Sequence, residues 1–148
     1  MVHRKRVILV DDSPDDSEFV KRAVEARCPW AEFRSFHRGE EVLEYFGGEA
    51  PHEENDRTVH MVLLDLKLPG LDGHAILREL RARWAPWQLP VVVFTSSREP
   101  SDVARAYAGG VNGYLVKPVV HEAYVDLVGL AVRYWLDANV LEGLEGRP

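Results

Sequence analysis

Short apolar runs alternate with longer amphipathic stretches along this chain. The runs at residues 7–10, 59–64 and 91–94 are almost wholly apolar, as strands covered on both faces of a sheet are. The stretches between them repeat apolar residues every three or four positions, which is the spacing of one buried helical face. Because such alternation is typical of a parallel sheet covered by helices, we predict an α/β fold with five strands and five helices.

Residue types that begin and end helices set the predicted bounds. Ser13 before Pro14, and Asp72 later in the chain, suit the position that caps a helix N-terminus, and Pro29 ends the first helix. The predicted strands are residues 7–10, 31–37, 59–64, 91–94 and 112–116. The predicted helices are residues 13–28, 40–46, 72–84, 101–108 and 121–141. The polar segment 47–58 is predicted to be a loop.

Length and composition fit one ordinary globular domain. The chain has 148 residues, of which 46% are hydrophobic and 28% charged. A net charge of −6 argues against general nucleic-acid binding, which depends on cationic side chains. No apolar run approaches the ~20 residues of a membrane span, and the run after Arg6 is too short for a signal peptide. Since the single cysteine, Cys28, also fits a reducing compartment, we predict a cytoplasmic protein.

Polar side chains follow the ends of four predicted strands. Asp11 and Asp12 follow the first strand, Asp65 the third, Thr95 the fourth and Lys117 the fifth. Ligands of open parallel sheets bind beyond the carboxyl ends of the strands. We therefore expect these side chains to converge at one edge of the sheet.

Each of these residues alone has an ordinary structural explanation. One acid could cap the first helix, Asp65 could begin a turn, and a lysine is usually a surface cation. Together they indicate a cation-binding site, because three close carboxylates repel one another unless a cation lies among them. Carboxylate and carbonyl oxygens suit Mg²⁺. An ammonium and a hydroxyl beside them would stabilise a phosphoryl group during its transfer.

At this spacing the same residues resemble the receiver domain of two-component response regulators. The resemblance is carried by Asp11–Asp12, residues 65–73, Thr95 and Lys117–Pro118. It implies a flavodoxin-like, doubly wound sheet of five parallel strands in the order 2-1-3-4-5, flanked by five helices.

The resemblance extends over most of the chain. Residues 1–148 would form a single receiver domain, with a core over about residues 6–135 and a C-terminal helical extension over about residues 136–148. The long loop at 47–58 and the segments 111–114 and 134–136 are similar to single-domain regulators paired with bacterial phytochromes.

The resemblance also implies a phosphorylation site with bound Mg²⁺. Asp65 corresponds to the phosphoacceptor, a carboxylate nucleophile. Asp12 corresponds to a direct Mg²⁺ ligand, and Asp11 to an acid that holds the metal partly through water. With Asp65 itself, the backbone carbonyl of Lys67 completes the implied protein ligands.

Further roles are implied around the phosphoacceptor. Thr95 corresponds to the hydroxyl that moves onto the phosphoryl oxygens, and Lys117 to the cation that pairs with them. Tyr114 occupies the aromatic switch position, three residues before that lysine. Pro118 corresponds to a proline whose preceding peptide bond is cis.

The implied function is that of a single-domain response regulator. It would accept a phosphoryl group from a sensor histidine kinase, with a bacterial phytochrome as a candidate, and would signal through a conformational switch and protein contacts. No enzyme activity is implied beyond its own phosphoryl transfer and autodephosphorylation.

Four other functions compete with this one. A phosphoryl sink for the kinase, or a receiver-like module that binds partners without phosphorylation, would use the same fold. An aspartyl phosphatase usually needs a second acid two residues after the nucleophile, where this chain has Lys67. A nucleotide or flavin binder would need a glycine-rich loop after the first strand, which is absent.

The apolar pattern of the last helix predicts a homodimer through helix four, strand five and helix five. One apolar stripe, including Tyr124 and Val128, is enough to cover the sheet. A second stripe contains Val125, Val132 and Leu136, and an exposed apolar stripe often marks an interface. Coverage of that stripe by residues 139–148 is the alternative.

Overall fold

The computed structural model describes residues 4–47 and 58–140. The strands are β1 (Arg4–Val10), β2 (Glu32–Phe36), β3 (Thr58–Leu64), β4 (Val91–Thr95) and β5 (Gly113–Val116). The helices are α1 (Pro14–Arg27), α2 (Gly39–Phe46), α3 (Gly73–Arg83), α4 (Pro100–Ala108) and α5 (His121–Arg133). A π-helical segment, Tyr134–Ala138, continues α5. Within the described part of the chain, no helix has the length and apolar character needed to cross a membrane.

The five strands form one parallel sheet in the order β2-β1-β3-β4-β5. This confirms the predicted fold class and strand order. The strands β1 and β3 lie at the centre, and Val10 pairs with Leu64 at their carboxyl ends. The register therefore brings the residues that follow β1 and β3 side by side.

Alternate residues of the strands point to opposite faces of the sheet and belong to two separate apolar layers. Ile8 and Val10 pack with α2, α3 and the inner side of α4. Val7 and Leu9 pack with α1 and α5 on the opposite face. Since both faces are covered, β3 and β4 are buried at every position, as the apolar runs in the sequence predict.

Two predicted capping residues begin their helices. The Ser13 hydroxyl accepts a hydrogen bond from the Asp16 N–H, and the Asp72 carboxylate accepts one from the Ala75 N–H. Most of the predicted 47–58 loop, residues 48–57, lies outside the described residues.

The end of α5 differs from its prediction. The α-helix ends at Arg133, and the π-helical segment ends at Ala138 rather than at residue 141. Asn139 has an extended backbone, and its N–H donates to the Tyr134 carbonyl at 2.7 Å. The proposed helical extension therefore stops at Ala138 within the described chain, and residues 141–148 lie outside the description.

The second apolar stripe of α5 is buried within the monomer. Val132 is 0% and Leu136 3% exposed, and Val125 packs against the same layer. The physical reason is that α5 packs against the sheet and also, on the same face of the sheet, against the side of α1, so it buries two neighbouring stripes. At Gly129 a Cβ atom would lie 2.8 Å from the Cβ of Arg27 on α1. Val132 and Leu136 are therefore not available as a dimer surface, and that part of the prediction is wrong, whereas Val125 is half-buried.

Candidate functional site

The carboxyl ends of the strands bring distant residues together at one edge of the sheet. The Asp65 N–H donates to the Val10 carbonyl at 3.0 Å, which fixes the start of the β3–α3 loop beside Asp11. The Lys117 N–H donates to the Thr95 carbonyl at 2.8 Å, which fixes the end of β5 beside that of β4. Backbone pairing thus positions the residues that the sequence selected.

Three carboxylates form a compact oxygen cluster at this edge. Asp11, Asp12 and Asp65 each offer an oxygen, and these atoms lie within 4.8 Å of one another. Asp11 is fully buried, Asp65 is 7% exposed, and Asp12 is exposed. Hard oxygen donors with one open side fit Mg²⁺, which binds few carboxylates and keeps positions for water or phosphate oxygens.

The ammonium of Lys117 lies against the inner side of this cluster. Its Nζ is 2.7 Å from Asp11 Oδ2 and 3.3 Å from Asp65 Oδ2. Burial alone would lower the pKa of Lys117, but the hydrogen bond and charge of Asp11, together with the charge of Asp65, outweigh burial and raise it. Lys117 therefore carries a fixed positive charge. Burial raises the pKa of Asp11, and the Lys117 hydrogen bond only partly offsets this effect.

A fourth carboxylate, which the sequence analysis did not assign to the site, also reaches Lys117. Asp16 Oδ2 lies 3.1 Å from the ammonium, and Asp16 Oδ1 accepts a hydrogen bond from the Tyr124 hydroxyl at 2.6 Å. Asp16 lies in the first turn of α1, where an acid is common because of the helix dipole. Only the unusual density of acids at residues 11–16 hinted at a further role.

Thr95 and Tyr114 are joined through Ser97. Thr95 is 1% exposed, and its hydroxyl oxygen accepts from the Ser97 N–H at 3.5 Å. The Tyr114 hydroxyl donates to the Ser97 carbonyl at 2.9 Å. Ser97, two residues after Thr95, therefore contacts both Thr95 and Tyr114, the predicted aromatic switch residue.

One assignment in the predicted site is corrected. None of the described peptide bonds is cis, so the bond between Lys117 and Pro118 is trans. The trans form is the favoured state of a peptide bond before proline by about 0.5–1 kcal/mol. With this bond trans, the Lys117 side chain still reaches Asp11 and Asp65.

Lys67 lies two residues beyond Asp65, the predicted phosphoacceptor. Its side chain is exposed, and its backbone N–H donates to Asp65 Oδ1 at 3.3 Å. The role of its carbonyl as a metal ligand stays a prediction.

Comparisons with known proteins agree with this geometry. The family model for the response regulator receiver domain matches residues 7–128. The chain is 34% identical over 134 residues to the probable methanogenesis regulatory protein FilR2 of Methanothrix harundinacea. The aligned region covers 90% of this chain and 84% of that protein. The chain is 29% identical over 137 residues to the response regulator Rcp1 of Synechocystis, which covers 93% and 92% of the two chains.

Solved structures give the same result. The phosphorylated cyanobacterial phytochrome response regulator RcpA superposes with a TM-score of 0.79 at 27% identity, covering 95% of this chain and 99% of that one. A Mn²⁺-bound form of Rcp1 superposes with a TM-score of 0.74 at 27% identity, covering 93% and 98%. With the strand order and the acid cluster already in place, these matches show that the chain belongs to the response regulator receiver domains of two-component systems.

Proposed function

We propose that this chain is a single-domain response regulator that accepts a phosphoryl group on Asp65 in a Mg²⁺-dependent reaction. One observation carries the proposal: the Asp65 carboxylate lies in the cluster with Asp11 and Asp12, and Lys117 Nζ is 3.3 Å from its Oδ2. A nucleophilic carboxylate needs positive charge close by to accept a dianionic group, and this arrangement supplies the ammonium and an oxygen site for the metal.

The proposed transfer forms one bond and breaks one. A carboxylate oxygen of Asp65 attacks phosphorus, and the bond between phosphorus and the donor atom breaks. The electron pair leaves with the donor, which is an imidazole nitrogen of the kinase or the acetate of acetyl phosphate. Lys117 binds a phosphoryl oxygen, and the Thr95 hydroxyl donates to another once it turns toward the site.

The proposed metal ligands are Asp11, Asp12, Asp65 and the backbone carbonyl of Lys67. Receiver domains bind Mg²⁺ at an acidic pocket, and the acid cluster of this chain is consistent with that property. Mg²⁺ bound there would offset the negative charge that gathers on the phosphoryl oxygens.

The proposal is tested by labelling with acetyl phosphate and Mg²⁺, with the phosphorylated residue located by mass spectrometry. We expect one phosphoryl group on Asp65, none on the Asp65→Asn variant, and none when the metal is chelated. Asp72→Asn is a matched control, because asparagine also caps a helix, and it should label like the wild type. Labelling of Asp65→Asn at the wild-type rate would disprove the assignment.

The proposed donor is a sensor histidine kinase, and the similarity to the phytochrome response regulator RcpA supports a bacterial phytochrome. Phosphotransfer from purified kinases tests this: the cognate kinase should transfer fastest and should not transfer to Asp65→Asn. The only catalysis we assign to the chain is its own phosphoryl transfer and autodephosphorylation, in the cytoplasm.

Homodimerisation through α4, β5 and α5 stays a proposal, but the buried residues Val132 and Leu136 cannot form its interface. Leu130 and Tyr134 are 66% and 52% exposed and lie on the outer side of α5 and its π-helical continuation. Sedimentation of the wild type beside Leu130→Glu should show a dimer only in the wild type. A monomeric wild type at tens of micromolar, with and without phosphorylation, would exclude the dimer.

A further inference from the structure

Asp16 binds Lys117 without belonging to the oxygen cluster. Its Oδ2 lies 3.1 Å from Nζ, whereas the cluster itself comprises Asp11, Asp12 and Asp65. It comes from α1, while the other carboxylates that contact Lys117 follow β1 and β3. Asp16 therefore holds Lys117 from outside the oxygen cluster.

Tyr124 fixes the position of the Asp16 carboxylate. The phenol donates to Oδ1 at 2.6 Å, so each oxygen of Asp16 has its own partner. Tyr124 is 5% exposed, and its ring packs edge-to-face against Phe94 and Phe19 with centroids 5.1 and 5.9 Å away. Burial and the Asp16 hydrogen bond raise the pKa of Tyr124, so the phenol keeps its proton and stays a donor.

The hydrogen bonds of Lys117 are fully used before any phosphoryl group arrives. An ammonium has three N–H donors, and Nζ contacts Asp11 at 2.7 Å, Asp16 at 3.1 Å and Asp65 at 3.3 Å. A phosphoryl group on Asp65 would need at least one of these donors. Asp11 belongs to the proposed metal site and Asp65 carries the phosphoryl group itself, so Asp16 is the partner outside the reacting cluster that holds the ammonium away from it.

The contact between Asp16 and Lys117 lies beside an open cleft. This cleft of about 340 Å³ is lined by Asp16, Lys117, Tyr124 and Phe19 among others. The Asp16 carboxylate therefore borders open space and is not enclosed on every side by packed side chains.

We propose that Asp16, anchored by Tyr124, is a positioning residue that competes with the phosphoryl group for Lys117 and so limits phosphorylation of Asp65. This inference rests on the proposed phosphorylation of Asp65. In this proposal the Asp16–Tyr124 pair restrains the position of the Lys117 ammonium.

The first test compares two neighbouring acids. Asp16→Asn removes the competing charge, and we expect it to raise the rate of labelling by acetyl phosphate and the affinity for beryllofluoride, a phosphoryl analogue, by at least about fivefold. Asp15→Asn is the matched control, because it removes the same charge from the neighbouring residue. The Asp15 side chain is exposed and has no contact with Lys117 among the described residues. This variant should change both quantities less than about twofold, because a solvated charge is screened.

The second test separates positioning from metal binding. Calorimetric titration with Mg²⁺ alone should show that Asp16→Asn alters the dissociation constant less than about threefold, whereas Asp12→Asn raises it more than about tenfold. An equal loss of Mg²⁺ affinity in both variants would make Asp16 a metal ligand and overturn the proposal.

The third test asks whether Tyr124 acts through Asp16. Tyr124→Phe keeps the packed ring and removes only the hydroxyl, so we expect it to change the labelling rate in the wild type but not in the Asp16→Asn background. Equal effects in both backgrounds would assign Tyr124 a purely structural role and overturn its part in the proposal.

The outcomes also separate this proposal from the one on which it rests. If the wild type takes no label, the proposed function fails. If the wild type is labelled and Asp16→Asn behaves like Asp15→Asn, only the competition for Lys117 is disproved.

Discussion

Ser97 makes four hydrogen bonds within the region that links the site to α4, one of which its hydroxyl accepts from the Glu99 N–H at 3.3 Å. Its backbone contacts Thr95 and Tyr114, and its hydroxyl donates to Asp102 Oδ2 at 2.5 Å. This hydroxyl is the largest cause that lowers the pKa of Asp102 below its ordinary value. A lowered pKa stabilises the folded state above the ordinary pKa of aspartate, and that stabilisation is lost as the pH falls through the lower folded value.

Ser97→Ala should therefore have a pH-dependent cost. At neutral pH we expect the free energy of unfolding to fall by about 1 kcal/mol, and the difference from wild type should shrink below about pH 4 as Asp102 is protonated. Urea denaturation at several pH values measures both. Ser101→Ala, an exposed serine on α4, should change the stability by less than about 0.5 kcal/mol at every pH. A cost for Ser97→Ala that does not vary with pH would contradict the role of Asp102.

Thr95 and Tyr114 are expected to carry the response to phosphorylation. Charge added at Asp65 should draw the Thr95 hydroxyl away from Ser97 and leave space for the Tyr114 ring to repack. Thr95→Ala should still accept a phosphoryl group but lose most of the change that beryllofluoride causes in the NMR resonances of Ser97 and Tyr114. Thr95→Ser keeps the hydroxyl and should retain that change. A full response in Thr95→Ala would contradict this coupling.

The sequence predicted the site residues that directly follow strands, and it did not predict those that lie on helices. Asp11, Asp65 and Lys117 follow apolar runs whose carboxyl ends must meet in a parallel sheet. Asp16 and Tyr124 lie on helices, where an acid in the first turn and an aromatic on the buried stripe both have ordinary explanations. Their contact depends on how α1 and α5 pack together, which the periodicity of either helix does not reveal.

At the scale of elements, α3 packs unusually close to the end of β3. A Cβ atom on Gly73 would lie 2.4 Å from the Asp65 carbonyl oxygen and 2.6 Å from the Leu66 Cα. Gly73→Ala should therefore displace backbone beside the proposed phosphoacceptor, with a loss of about 1–3 kcal/mol in the free energy of unfolding and slower labelling of Asp65. Denaturation and acetyl phosphate labelling measure these effects.

Gly113→Ala is the matched control for this substitution. The nearest atom to a Cβ there is Val92 Cγ1 at 3.8 Å, an ordinary contact. We expect its stability to stay within about 0.5 kcal/mol of the wild type. If Gly73→Ala were as well tolerated as Gly113→Ala, the close packing of α3 would not constrain the site.

The helix α5 shows where a pattern of apolar residues is ambiguous. Its apolar pattern predicts a core face and an interface, but the sheet and α1 together cover the face predicted to be the interface. Leu136→Ala should cost about 2–5 kcal/mol in the free energy of unfolding, because this side chain is only 3% exposed. Leu130→Ala, at 66% exposure, should cost less than about 0.5 kcal/mol. Similar stability for the two variants in urea denaturation would contradict the burial of Leu136.

At the scale of the whole molecule, the sheet order follows from simple constraints. Strand–helix alternation requires parallel strands with crossover helices, and both apolar layers must be covered. The alternation alone leaves several strand orders open, and the resemblance to receiver domains selected the observed one. The trans peptide bond before Pro118 was not predictable in this way, because the two isomers differ by only about 0.5–1 kcal/mol.

The collection of acids at the sheet edge has a consequence for folding itself. Asp11, Asp12, Asp16 and Asp65 come together with Lys117 only when the strands from β1 to β5 have formed the sheet, so four carboxylates accompany one ammonium in the folded site. Like charges gathered in this way oppose compaction, and a divalent cation bound only by the folded chain offsets that cost.

By mass action, such a cation would raise the free energy of unfolding by about 2.7 kcal/mol at a hundredfold excess over its dissociation constant. The melting temperature of the wild type should thus rise with added Mg²⁺, and that of Asp12→Asn should rise far less. A melting temperature that ignores Mg²⁺ in the wild type would contradict this. The free metal concentration around the protein would then govern both the folded fraction of the chain and whether it is ready to react.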